Sequence, residues 1–151
     1  MALAPGDRAP LIALSDQNGE ERRSDQLADK ALVLFFYPKD DTPSCTAEAC
    51  AFRDSYADLQ ALGAEVWGVS GDDQASHQRF ASRHDLPFPL LVDQGNALRK
   101  AFGVPNVLGL LPGRVTYVID SEGVIRLMFN NLLDGAAHRN EARAALQRLA
   151  L

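Results

Sequence analysis

"ALVLFFYPKDDTPSCTAEAC", Ala31 to Cys50, holds both cysteines of the chain and changes character halfway along. Its first seven residues are a continuous apolar run, as expected for a strand covered on both faces of a sheet. The second half reads as a helix start. Thr42 suits the N-cap, Pro43 suits the first helical position, where a missing N–H costs nothing, and Cys45 then falls in the first turn. Phe52, Tyr56 and Leu59 form one apolar stripe, which carries the expected helix from about Pro43 to Ala61.

Outward from this segment, strand and helix signals alternate without a linker or repeat. "LIALSDQNGEERR" predicts a short N-terminal hairpin turning at Asn18-Gly19. "AEVWGVS" (Ala64 to Ser70) is the next strand, and Asp72 or Asp73 caps a helix through "QASHQRFASRH". "FPLLVD" is a short strand and "NALRKAFG" a short helix ended by Gly103. "RVTYVID" and "GVIRLMFN" make a hairpin, and "AAHRNEARAALQRLAL" is a closing amphipathic helix. Parallel βαβ units followed by an antiparallel hairpin imply a mixed central sheet with helices on both faces, the thioredoxin-like arrangement.

The totals set limits on function. At 151 residues, 46% of them hydrophobic, the chain fits one globular domain, residues 1–151. A formal charge of −5 argues against nucleic acid as a partner, and no basic run suggests a membrane surface. "MALAPGDRAP" shows no signal-peptide pattern, and no apolar run approaches the roughly 20 residues that span a bilayer. Two cysteines are too few for a secreted disulfide scaffold. A reducing cytoplasm is therefore the expected location, where a close cysteine pair is redox-active or metal-binding more often than structural.

At the start of a helix, unpaired N–H groups and the positive end of the dipole favour a thiolate over a thiol. Ionisation alone gives only a severalfold gain in rate, because nucleophilicity falls with basicity along a Brønsted slope of about 0.4–0.5. A large acceleration requires donors that bind the substrate's oxygen atoms as charge moves onto them. An arginine, a hydroxyl and free N–H groups are thus expected around Cys45. Cys50 lies at i+5, where a regular helix holds the two Cα atoms about 8.7 Å apart, against the roughly 4.4–6.8 Å that a disulfide requires. Linking the pair demands that the helix unwind locally.

"YPKDDTPSCTAEACAFRD" resembles the active-site segment of the peroxiredoxins, whose signature Pro-x-x-x-Thr-x-x-Cys falls here on Pro38, Thr42 and Cys45. The continuation Cys-Thr-x-Glu-Ala-Cys is similar to the Q-type branch, also called the bacterioferritin comigratory proteins. "PGDRAP", "GVSGDDQASHQRFASRHDLPFPLLVD" and "RVTYVIDSEGVI" resemble family segments too, so the likeness covers nearly the whole chain. It implies a thiol peroxidase for hydrogen peroxide and organic hydroperoxides, working without metal, haem or other cofactor. Cys45 would be the peroxidatic thiolate, and Cys50 would resolve its sulfenic acid into a disulfide that thioredoxin or a similar dithiol reduces. Thr42 would orient thiolate and peroxide, Pro38 would shield the pocket from water, and Arg114 would stabilise the thiolate and polarise the peroxide. Glu48 would orient an arginine. Ser44 departs from the family in standing where many relatives have glycine.

Other features have plainer readings. His77, His84 and His138 lack metal-ligand spacing and read as helix-surface residues. Asp40-Asp41 and Asp72-Asp73 read as solvated loop and cap charges, and Trp67 with Phe35, Phe36 and Tyr37 as sheet core. Gly103 to Gly113 has no phosphate-binding pattern. The apolar loop Val104 to Leu111 either folds back over the sheet edge, borders the site and favours alkyl hydroperoxides, or makes a weak contact between copies, so the chain is expected as a monomer or weak homodimer. Two competing functions are a protein thiol–disulfide oxidoreductase, which the absence of Cys-x-x-Cys disfavours, and a non-enzymatic redox sensor.

Overall fold

The computed structural model describes residues 2–107 and 111–150. Near the N-terminus, β1 (Ala13–Ser15) pairs antiparallel with β2 (Glu21–Arg23). The Asp16 carboxylate ties their turn by accepting from the N–H groups of Asn18 and Glu20, at 2.8 and 3.1 Å.

The apolar run becomes β3 (Ala31–Phe36), buried at every residue from Leu32 to Phe36. Alternate side chains serve different cores, as a strand's period of two requires. Val33 and Phe35 lie in one core, while Leu32, Leu34 and Phe36 lie in the other. After β3 come α1 (Pro43–Asp54), α2 (Tyr56–Ala61), β4 (Ala64–Ser70), α3 (Gln74–Arg83), β5 (Leu90–Val92) and α4 (Ala97–Phe102). Two-residue strands β6 (Asn106–Val107) and β7 (Leu111–Pro112) precede β8 (Val115–Ile119), β9 (Ile125–Asn130) and α5 (Gly135–Leu149).

The central sheet runs β5-β4-β3-β8-β9. Its β3, β4 and β5 are mutually parallel, whereas β8 and β9 are antiparallel to their neighbours. Phe52, Leu59, Phe80 and Leu146, from α1, α2, α3 and α5, fill the core on one face. Leu98 and Phe102 of α4 join Ile12 on the other. Each such fully buried side chain contributes about 1.5–3 kcal/mol of transfer free energy. The expected mixed sheet, covered on both faces and preceded by a hairpin, is what forms.

Two details differ from the sequence reading. The single helix expected from Pro43 to Ala61 breaks at Ser55 (φ −107°, ψ 6°). There Arg139 of α5 donates to Ser55 Oγ at 3.1 Å and to the Ala51 carbonyl at 3.4 Å, so α5 is tied to the point where α1 stops. The apolar loop starts with Val104 buried in the second core, then forms a β6–β7 ribbon pairing Asn106 with Pro112 and Val107 with Leu111. Residues 108–110 lie outside the described residues, and with them the expectations placed on the tip of that loop.

Candidate active site

β3 ends at Phe36, and the chain crosses Pro38 to Thr42 before α1 begins at Pro43. Thr42 takes the extended N-cap conformation (φ −86°, ψ 152°) but makes no side-chain cap. Its hydroxyl donates instead to the Lys39 carbonyl at 3.0 Å. Pro38 and Thr42 are half-buried at this mouth. Cys45 sits in the first turn, 1% exposed and packed in the first core. Cys50, on the same uninterrupted helix, is half-buried, and both thiols are free.

The charged neighbour expected for Cys45 comes from the far side of the sheet's centre. Arg114 precedes β8 and is 2% exposed. Each of its donor groups has a partner: Nη2 reaches Cys45 Sγ at 3.1 Å, Nη1 reaches Glu48 Oε1 at 2.6 Å, and Nε donates to the Leu132 carbonyl at 2.8 Å. With Nη1 and Nε bonded to Glu48 and Leu132, the planar fork is aimed so that Nη2 meets the sulfur. The structure therefore brings Cys45, Glu48 and Arg114 into one hydrogen-bonded group and leaves Cys50 five residues along the helix.

Behind this group lie buried polar residues, among them one that the sequence places on a helix surface. His138 is fully buried, not on the surface of α5. Its Nε2 lies 2.7 Å from the Asn131 carbonyl, so Nε2 carries the proton and Nδ1 accepts from the Thr116 hydroxyl, also at 2.7 Å. Burial, with help from the Arg114 charge, pushes His138 down to about 4, against the pull of the Asn131 carbonyl. Glu48 Oε2 has no hydrogen-bond partner and faces that Nδ1 at 3.4 Å. Burial pushes Glu48 up to about 8, although the charge and hydrogen bond of Arg114 oppose the shift. His138 precedes buried Ala142, Ala145 and Leu146 by four, seven and eight residues, a helical stripe that already marked it as inward-facing.

The loop before α1 has its own anchor. Asp40, read as a solvated charge, is 6% exposed, and His77 is fully buried. Asp40 accepts from the Tyr37 hydroxyl at 2.6 Å, the Ser76 hydroxyl at 2.8 Å and His77 Nδ1 at 2.7 Å. His77 Nε2 meets the Leu91 carbonyl at 2.8 Å. Both ring nitrogens face acceptors, so the ring is an imidazolium paired with a carboxylate. Burial pushes His77 down, but the hydrogen bond and charge of Asp40 outweigh it, and the net shift is upward. Asp40, Asp72 and His77 fall within 4.8 Å of one another. Both Asp40 oxygens, both His77 nitrogens and Asp72 Oδ2 are engaged by these bonds and by those from Ser70 and the Asp40 N–H to Asp72, so the cluster works as a tie. His84 is half-buried. A cleft of about 300 Å³, bordered by Arg8, Lys30, Leu32 and Ile119, lies at the opposite end of β3 from Cys45 and contains none of the thiol group.

Comparison with known proteins agrees with this geometry. The model of the AhpC/TSA family matches residues 5–128. A chloroplastic peroxiredoxin Q of Populus jackii is 48% identical over 145 residues, covering 95% of this chain and 68% of the relative. The crystal structure of peroxidoxin BcpB from Mycobacterium tuberculosis superimposes with a TM-score of 0.89 at 35% identity, over 97% of this chain and 98% of that one. A bacterioferritin comigratory protein of Xanthomonas campestris gives 0.85 at 30% identity, over 96% and 100% of the two chains. The fold is thioredoxin-like, as expected. One expectation is overturned: relatives from Populus jackii and Suaeda salsa are both named chloroplastic, which contradicts a cytoplasmic location. Two cysteines argue against a disulfide scaffold and do not single out one reducing compartment. Arg114 held against the sulfur of a helix-start cysteine, within a fold and sequence shared with these proteins, places the chain in the AhpC/TSA family, as a thiol peroxidase of the peroxiredoxin Q group.

Proposed function

We propose that Cys45 is the peroxidatic thiol and that Arg114 is the donor acting on it and on the peroxide. The observation that carries this reading is the 3.1 Å contact between Arg114 Nη2 and Cys45 Sγ. In the proposed step, the thiolate attacks the terminal oxygen of ROOH. An S–O bond forms, the O–O bond breaks, and the departing RO⁻ takes a proton from water to leave as ROH. Arg114 stabilises the charge as it moves from sulfur to oxygen, in a setting where burial strengthens each donor. Glu48 aims the guanidinium, the Thr42 hydroxyl turns from Lys39 to the bound peroxide, and Pro38 keeps water from the sulfur.

Cys50 then attacks the sulfenic sulfur, and water leaves as the disulfide forms. Thiol–disulfide exchange with thioredoxin or a similar dithiol restores both thiols. Hydrogen peroxide and organic hydroperoxides are the substrates. The Xanthomonas campestris protein is described with alkyl peroxide reduction activity, which supports the second class. The protein works as one domain, a monomer or weak homodimer, without metal, nucleic acid or membrane. Among the described residues no helix is long and apolar enough to cross a membrane.

Stopped-flow oxidation of the reduced protein, followed by mass analysis, tests the reading. The parent protein is expected to form an intramolecular Cys45–Cys50 link. Cys50→Ser should consume one equivalent of peroxide and stop, and Cys45→Ser should consume none. Parental peroxide consumption by Cys45→Ser would overturn the assignment.

A further inference from the structure

The β3–β8 ladder ends at the Phe36–Val115 pair. Just beyond it lie Tyr37 on one chain segment and Gly113 on the other, both buried and both outside the ladder. A buried carbonyl needs a donor, and one side chain supplies both of these. Arg99, on α4, donates through Nη1 to the Gly113 carbonyl at 2.6 Å and through Nη2 to the Tyr37 carbonyl at 2.8 Å.

The positions matter for the reaction. Tyr37 is followed by Pro38 and the loop that leads to Cys45, and Gly113 is followed by Arg114. The two segments spanned by Arg99 are thus the ones that carry the two partners of the 3.1 Å sulfur contact. We propose that Arg99 is a positioning residue of the peroxidase site: by bridging the Tyr37 and Gly113 carbonyls it holds Arg114 in register with Cys45. This rests on the reading of Cys45 as the attacking thiol.

Arg99 is itself firmly placed. It is 4% exposed. The Asp93 carboxylate accepts from the N–H groups of Leu98 and Arg99 at 2.7 and 3.0 Å, fixing the first turn of α4. The guanidinium carbon lies 5.6 Å from the centroid of the Phe36 ring. A planar fork can reach two carbonyls at a fixed separation, whereas a lysine ammonium is a single point on a flexible stem. Sequence alone hid this role, since an arginine in "NALRKAFG" looks like any solvated helix charge.

Two reactions of Cys45 separate positioning from general damage. Peroxide oxidation needs the thiolate and the aligned donors, while alkylation by iodoacetamide, run at a pH that ionises Cys45 in parent and variants alike, needs chiefly the thiolate. Both are measured well below the unfolding midpoint of each variant. Arg99→Met should lower the second-order rate with hydrogen peroxide by about ten- to hundredfold, the scale expected for a misplaced donor, with alkylation changed by less than about threefold. Arg99→Lys should fall between it and the parent, and carries the comparison if Arg99→Met does not fold. A peroxide rate within about twofold of the parent, or equal losses in both reactions, overturns the proposal. Cys45→Ser is the control: continued peroxide reduction by it would sink the reading of Cys45, whereas an inert Cys45→Ser beside a fully active Arg99→Met would sink only the role of Arg99.

Discussion

Gly135 abuts the backbone of Glu48. A methyl group built on it would lie 2.7 Å from Glu48 N and 2.8 Å from both Glu48 Cα and Cβ. Helix propensity alone favours Gly135→Ala by up to about 1 kcal/mol, but backbone cannot step aside as a side chain can. Overpacking of this kind costs about 1–3 kcal/mol. Gly135→Ala should therefore unfold at lower urea than the parent, and its peroxide rate should fall because α1 shifts with Glu48. A variant more stable than the parent would show that the α1–α5 contact yields.

His138 and Glu48 give the protein opposite pH dependences. His138 is held at about 4, below its ordinary 6.5, so the unfolded chain takes up a proton that the folded one refuses. The stability it contributes is complete above 6.5 and is lost as pH falls through about 4, by on the order of 3 kcal/mol. Glu48 is held at about 8, above its ordinary 4.5. Its contribution is complete below 4.5 and is lost as pH rises through about 8. Urea melts across this range should show His138→Gln flattening the acid limb and Glu48→Gln flattening the fall in stability from weakly acidic to weakly basic pH. Parallel curves for parent and variants would count against these placements.

The Asp40–His77 tie makes a third prediction. Asp40→Asn leaves a buried imidazole without its counter-charge, and breaking such a pair costs about 3–5 kcal/mol. Because the folded protein holds the His77 proton more tightly than the unfolded chain, the stabilisation is full below about 6.5. It is lost as pH rises through the higher folded value. Asp40→Asn should be destabilised most on the acid side of that window and converge on the parent above it. A stability difference independent of pH would argue against an imidazolium.

Oxidation should open α1. Cys45 and Cys50 lie on one continuous helix, a separation too long for a disulfide by about 2 Å or more. Amides from Cys45 to Ala49 should exchange with deuterium faster in the disulfide form than in the dithiol form. Unchanged protection across these residues in a verified disulfide would refute the need for unwinding.

Much of this was readable beforehand where one strong signal acted alone. The run from Ala31 gave a two-faced strand, and Thr42-Pro43 marked the helix start. What escaped were polar residues whose partners lie far along the chain. Asp40 and His77 meet across 37 positions, and nothing local tells a buried aspartate from a solvated one. His77 precedes Phe80 and Ala81 on the inward stripe of α3, as His138 precedes Ala142, so periodicity carried a hint that residue type outweighed. The break at Ser55 coincides with contacts to Arg139 of a distant helix, which helix propensity does not register.

The Asp40 tie also limits how far any rearrangement can travel. Downstream of it, Asp41 to Cys50 is ten residues of chain, which could extend about 33 Å, ample slack to bring two sulfurs together. Upstream, Tyr37 and β3 remain bolted to α3 and to the neighbouring strands. Each turnover can thus rework the rim of the molecule while its frame stays intact, ready for the next round.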